Sequence, residues 1–77
     1  MADKVYVDVL AMILSDGRKK PLGLVWEDGR KILIDHVLDV RRAASLRAGG
    51  VGDRYTCEVS GKAFFLFDED GRWFMER

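Results

Sequence analysis

The sequence predicts an all-β domain, either a small SH3-like barrel or a strongly twisted antiparallel sheet of about six strands, with at most one short helix near 41–48. Three observations carry this. Short apolar runs alternate with a period of two. Asp-Gly-Arg recurs at 16–18, 28–30 and 70–72, each time between two such runs. No stretch shows helical periodicity over the length of a packed helix. At 77 residues the chain reads as a single domain, 1–77. So small a domain has a marginal core, which only tight packing, self-association or a partner can supplement here.

The elements follow in order. Residues 4–14 alternate, with Val5, Val7, Val9, Ala11 and Ile13 on one face and Tyr6, Asp8, Leu10, Met12 and Leu14 on the other. From Leu10 onward both faces are apolar, so both are expected to be covered. Residues 21–26 form the next strand. Pro21 cannot donate to a ladder and suits its start. Residues 30–40 form a third, with Ile32 and Ile34 on one face. The phase slips at 35–40, where a bulge repairs it. Arg41 to Ala48 contains good helix formers and precedes Gly49, a plausible C-terminal cap. The glycines at 49, 50 and 52 then read as a flexible connection. Residues 54–60 place Tyr55, Cys57 and Val59 inward and Arg54, Thr56 and Glu58 outward. Residues 62–68 place Ala63, Phe65 and Phe67 on one face and Phe64 and Leu66 on the other; 72–76 close the chain.

The three Asp-Gly-Arg copies read as hairpin tips, because a two-residue type I′ loop favours Asp-Gly. With Asp28-Gly29 as that loop, Glu27 faces Arg30, Val25 faces Ile32 and Leu24 faces Leu33. With Asp70-Gly71, Glu69 faces Arg72 and Phe67 faces Phe74. The Arg is then the cross-strand partner of the Glu, a contact worth roughly 0.2–1 kcal/mol when exposed. A calcium loop is the competing reading of 68–71, but the chain ends before the remaining ligands could occur.

Composition removes several functions. Cys57 is the only cysteine, which excludes a disulfide framework and a Cys-based zinc site and fits a reducing, cytoplasmic setting. There is no signal-peptide pattern and no apolar run of membrane-spanning length. The glycines of 49–52 precede a strand and lack the Lys-Ser/Thr of a phosphate loop. His36 is the only histidine, and on a strand it points away from Asp35, so no catalytic triad is expected. No enzyme activity, cofactor or metal follows from these residues.

Thirteen Lys and Arg against thirteen Asp and Glu exclude a globally basic nucleic-acid binder, so any such site must be local. With turns alternating between the two ends of the sheet, the 16–17 turn, the 41–53 connection and the 70–71 turn share one end. That end gathers Arg18, Lys19, Lys20, Arg41, Arg42, Arg47, Arg54 and Arg72, diluted by Asp16, Asp53, Asp68, Glu69 and Asp70. Arg side chains and free backbone N–H groups suit phosphate.

The strand with Trp26 and its Gly-Arg turn, the Val-Leu-Asp-Val end at 37–40, the run Arg-Tyr-Thr-Cys-Glu-Val at 54–59 and the closing Gly-Arg-Trp-Phe at 71–74 resemble a group of short uncharacterised bacterial proteins, chiefly from Firmicutes. More loosely, residues 21–77 are similar to a small β domain that accompanies Y-family translesion DNA polymerases. That resemblance implies a DNA-repair accessory role and brings no catalytic residues. The expected function is therefore non-enzymatic binding of nucleic acid, or of a DNA-processing protein, through the Arg41–Arg54 end. The alternative is a protein-interaction or homodimer module using Leu10, Met12, Leu14, Phe64 and Phe74.

Overall fold

The computed structural model describes residues 3–44 and 51–76. Eight strands form: β1 (Lys4–Tyr6), β2 (Asp8–Ile13), β3 (Lys19–Val25), β4 (Lys31–Leu33), β5 (His36–Ala44), β6 (Val51–Val59), β7 (Lys62–Glu69) and β8 (Arg72–Glu76). They make a five-stranded antiparallel sheet, β1-β8-β7-β6-β5, and a three-stranded one, β2-β3-β4. The all-β expectation holds, and the two sheets do not close into a barrel.

Two runs that read as single strands are each divided between the sheets. The first turns at Val7, whose N–H donates to the Trp73 carbonyl (3.0 Å). The second turns at Ile34 and Asp35, whose N–H groups donate to the carbonyls of Leu22 and Glu58 (both 2.9 Å). Each corner thus passes from one sheet to the other without orphaning its backbone donors. The predicted bulge in the second run is present, at Leu38, between Val37 and Asp39 in the register with β6.

The core lies between the sheets. Leu24 from β3 meets Tyr55 and Cys57 from β6, Leu66 from β7 and Trp73 from β8. Val9, Ala11, Ile32, Val37, Phe64 and Met75 pack around them. Alternation in 54–60 read this correctly, since Tyr55 and Cys57 are both buried. A second aromatic cluster lies on the outer face of the large sheet. Phe67 and Phe74 stack at 4.9 Å and Tyr6 meets Phe74 edge-on at 5.7 Å. Lys4 crosses the Phe74 ring to reach Glu69.

Three expectations are corrected. Residues 41–44 are strand, not helix: Arg41 pairs with Arg54 and Ala44 with Val51. Helix propensity differs among ordinary residues by only about 0.7 kcal/mol, too little to outweigh a ladder with β6. Residues 45–50, including Arg47, lie outside the described residues. Second, the 28–29 hairpin is shifted by one residue: Val25 faces Lys31, Leu24 faces Ile32 and Gly23 faces Leu33. Its loop has three residues, closed by Trp26 N–H on the Arg30 carbonyl and Gly29 N–H on the Trp26 carbonyl (both 2.8 Å). The 15–17 loop is built alike. In both, glycine takes positive φ, 90° at Gly17 and 88° at Gly29, as a three-residue hairpin loop requires.

Third, in the first two copies the Arg pairs with its own Asp. Asp16 Oδ1 accepts from Arg18 N–H (3.0 Å) and Oδ2 from Arg18 Nε (2.7 Å). Asp28 holds Arg30 the same way, at 3.0 and 2.9 Å. The Arg backbone N–H, more than its guanidinium, draws the Asp28 carboxyl below its ordinary range. Only the third copy forms the two-residue loop, with Asp70 at φ 51°, Gly71 at φ 87° and Phe67 facing Phe74 as predicted. There Glu69 faces Arg72, yet its carboxylate accepts from Lys4 and from the Tyr6 hydroxyl (3.1 Å each). Those bonds, the Lys4 one foremost, lower the Glu69 pKa.

Burial pushes the Cys57 thiol up to about 11. The folded state therefore keeps its proton where the unfolded chain loses it. Stability from this group is complete below the ordinary thiol pKa and is lost as pH rises from about 9 toward 11, by on the order of 2 kcal/mol. Urea unfolding at pH 8 and pH 11 is expected to show that loss in the parent and a smaller one in Cys57→Ala. Equal losses in both proteins would remove Cys57 as the cause.

Candidate nucleic-acid interface

The end holding the 16–17 and 70–71 turns is assembled as the alternating-turn reading expects. Lys19, just past the first turn, donates to Asp68 Oδ2 at 2.8 Å, just before the last. Gly52 and Asp53 of β6 lie against Asp68 and Glu69 of β7. Of the predicted cations, Lys19, Lys20, Arg41, Arg42 and Arg54 are described; they reach this end but divide between two surfaces.

Arg41 and Arg54 lie on the outer face of the large sheet, directly opposite each other across β5 and β6. Like charges in that position repel. Each is drawn aside by another group. Arg41 Nε donates to Asp39 Oδ2 (2.7 Å). The Arg54 guanidinium lies over the Phe65 ring, 4.6 Å from its centroid, and its Nε is buried with no hydrogen-bond partner. Phe65 itself remains 47% exposed. On β1 the same arrangement recurs, with the Arg72 guanidinium 4.1 Å from the centroid of the exposed Tyr6 ring.

Lys19 and Lys20, with Arg18, line the other surface. It is a cleft of about 540 Å³ between the β2–β3 hairpin and the β5–β6 pair, with Val37, Val40 and Tyr55 as its apolar side. Arg18 is held by Asp16 and Lys19 by Asp68. Lys20 is exposed and has no ion-pair partner among the described residues. Arg42 reaches Asp53, which also lines this cleft, at 3.5 Å. Burial first, then the charges of Asp68 and Asp53, raises the Tyr55 pKa, so its hydroxyl stays neutral here.

The expected apolar interaction face does not form as one surface. Leu10 and Met12 are exposed on the small sheet, and Leu14 is half-buried against the cleft. Phe64 packs against the core, and Phe74 is only 2% exposed under Lys4 and Tyr6. The exposed aromatics are Phe65 and Tyr6, which sequence reasoning did not place in a site. The signal was present in the Ser60-Gly61 turn, with φ of 52° and 79°. It sets Thr56 opposite Phe65, and so puts Arg54 one ladder row from that ring.

No protein-family model, curated protein or solved structure matches this chain.

Proposed function

We propose that this chain is a non-enzymatic β module of the cytoplasm that holds a single strand of nucleic acid against its Arg-bearing end. The observation that supports it most is the Arg41–Arg54 pair beside the exposed Phe65. A phosphate between the two guanidinium groups relieves their repulsion. Phe65 then offers a ring on which a base stacks, worth about 1–3 kcal/mol. The exposed pairs with Asp39 and Asp53 give way at little cost, since such pairs contribute roughly 0–1 kcal/mol. On the separate cleft surface, Lys20 offers a further cation without an ion-pair partner among the described residues. The lone buried thiol suits a reducing compartment.

A labelled oligothymidylate titrated at two salt concentrations tests this. With about three phosphates neutralised, log K is expected to fall with log salt at a slope near −2. Arg41→Glu with Arg54→Glu should abolish binding, while Phe65→Ala should weaken it and leave the slope unchanged. If the double Glu variant binds as well as the parent, the site is wrong.

A second reading rests on the small sheet. Leu10 (64% exposed) and Leu33 (72%) flank Gly23 on its outer face. In the next row Asp8 and Lys31 flank Val25. A two-fold axis parallel to the strands sets Asp8 against Lys31 of a second copy and Leu10 against Leu33, a self-complementary face. A dimer in sedimentation that Leu33→Glu dissociates, with no oligothymidylate bound, supports this reading over the first.

A further inference from the structure

The opposite end of the molecule, where the 28–29 and 60–61 turns meet, carries a pocket that the nucleic-acid reading does not use. It measures about 350 Å³ and lies between the sheets. Leu24 and Ile32 of the small sheet form one wall, and Phe64 and Met75 of the large sheet the other. Trp26 lies at its side. These are core residues whose packing runs out at the end of the sandwich, leaving apolar surface open. Small-molecule pockets fall in this range of size and have this kind of lining.

The rim is what selects a ligand. Arg30 and Lys62 line the pocket, and among the described residues no carboxylate does. Arg30 comes from β3's hairpin loop and is held in place through Asp28 (2.9 Å). Lys62 opens β7, is exposed, and has no ion-pair partner among the described residues. An apolar pocket with a free ammonium and an exposed, Asp28-paired guanidinium at its mouth matches a molecule with a hydrocarbon body and one anionic end. We propose that this pocket binds small amphipathic carboxylates of the medium-chain fatty acid type. The tail lies between Ile32, Phe64 and Met75, and the carboxylate meets Lys62 and Arg30. The cleft at the other end differs in having three cations and the Asp53 carboxylate along its lining.

The test is an amide and indole NMR titration of the whole chain with octanoate, octanol and octylammonium in parallel. Octanoate is expected to shift the Trp26 indole and the Phe64 and Met75 amides saturably. Lys62→Glu should weaken it by about tenfold or more. Lys62 is exposed at a strand start, so this variant folds as the parent does. The Arg41→Glu, Arg54→Glu protein should bind octanoate unchanged, which separates this site from the nucleic-acid one. No saturable shift with octanoate overturns the proposal. So does octanol or octylammonium binding as tightly as octanoate, or a Lys62→Glu protein that binds octanoate like the parent.

Discussion

Gly52→Ala is expected to destabilise the fold by about 3 kcal/mol, although alanine in place of a strand glycine ordinarily stabilises by about 0.5–1 kcal/mol. The sign reverses because of what a methyl group would meet. A Cβ at Gly52 would lie 2.4 Å from the Asp68 carbonyl oxygen, 3.1 Å from its carbon and 3.4 Å from Glu69 Cα. All three are backbone atoms of β7, so no side chain can swing aside. Relief requires β6 and β7 to separate where Asp53 faces Asp68, and that opens the ladder beside the Arg41–Arg54 pair. Urea unfolding of the two proteins measures the difference. A midpoint equal to or above the parent's would show that the strands yield without cost. The glycine had read as part of a flexible connection; its role is close approach between two strands.

The contrast between the second and third Asp-Gly-Arg copies shows where the sequence is legible. Both begin with Glu and both sit between β-runs, yet one closes a three-residue loop and the other a two-residue loop. At 28–30 the Asp side chain folds onto the Arg that follows, a purely local contact. At 70–72, Asp68 Oδ1 accepts from the Gly71 N–H (2.8 Å), and Glu69 is taken by Lys4, 65 positions away in the chain. The tripeptide is the same in both, but the third copy adds a contact from Asp68, three residues before Gly71, and one from the distant Lys4. The same division runs through the rest of the fold. Alternation placed Tyr55 and Cys57 because a half-buried strand has only one way to face. Propensity misjudged Arg41–Ala44, where it favoured helix and pairing with β6 favoured strand. The candidate site divides likewise. Composition pointed to Arg41 and Arg54, but the stacking of Arg54 on Phe65 depends on the β6–β7 register that the Ser60-Gly61 turn sets.

Asp68 carries the other large expected effect. It is the one buried charged residue among those described, only 4% exposed. One carboxylate oxygen accepts from the Lys19 ammonium at 2.8 Å and the other from the Gly71 N–H at 2.8 Å. It therefore joins the small sheet's hairpin to the large sheet and closes the β7–β8 turn with the same group. Asp68→Ala removes both contacts and leaves a gap, and is expected to cost about 3 kcal/mol. Asp68→Asn keeps an acceptor for Gly71 and loses only the ionic contact, so about 1–2 kcal/mol is expected. Lys19→Met is the informative companion. Lys19 is partly exposed and can turn to water when Asp68 is removed, whereas Asp68 without Lys19 is a buried charge without its counter-ion. Lys19→Met should therefore cost as much as Asp68→Ala, although it deletes the more exposed partner. Combining Lys19→Met with Asp68→Asn should lose clearly less than the two single losses added, since the second change removes the charge that the first leaves stranded. Additive losses in that cycle would mean that the two groups do not depend on each other, and that the hairpin bearing Arg18, Lys19 and Lys20 is held over the cleft by other contacts.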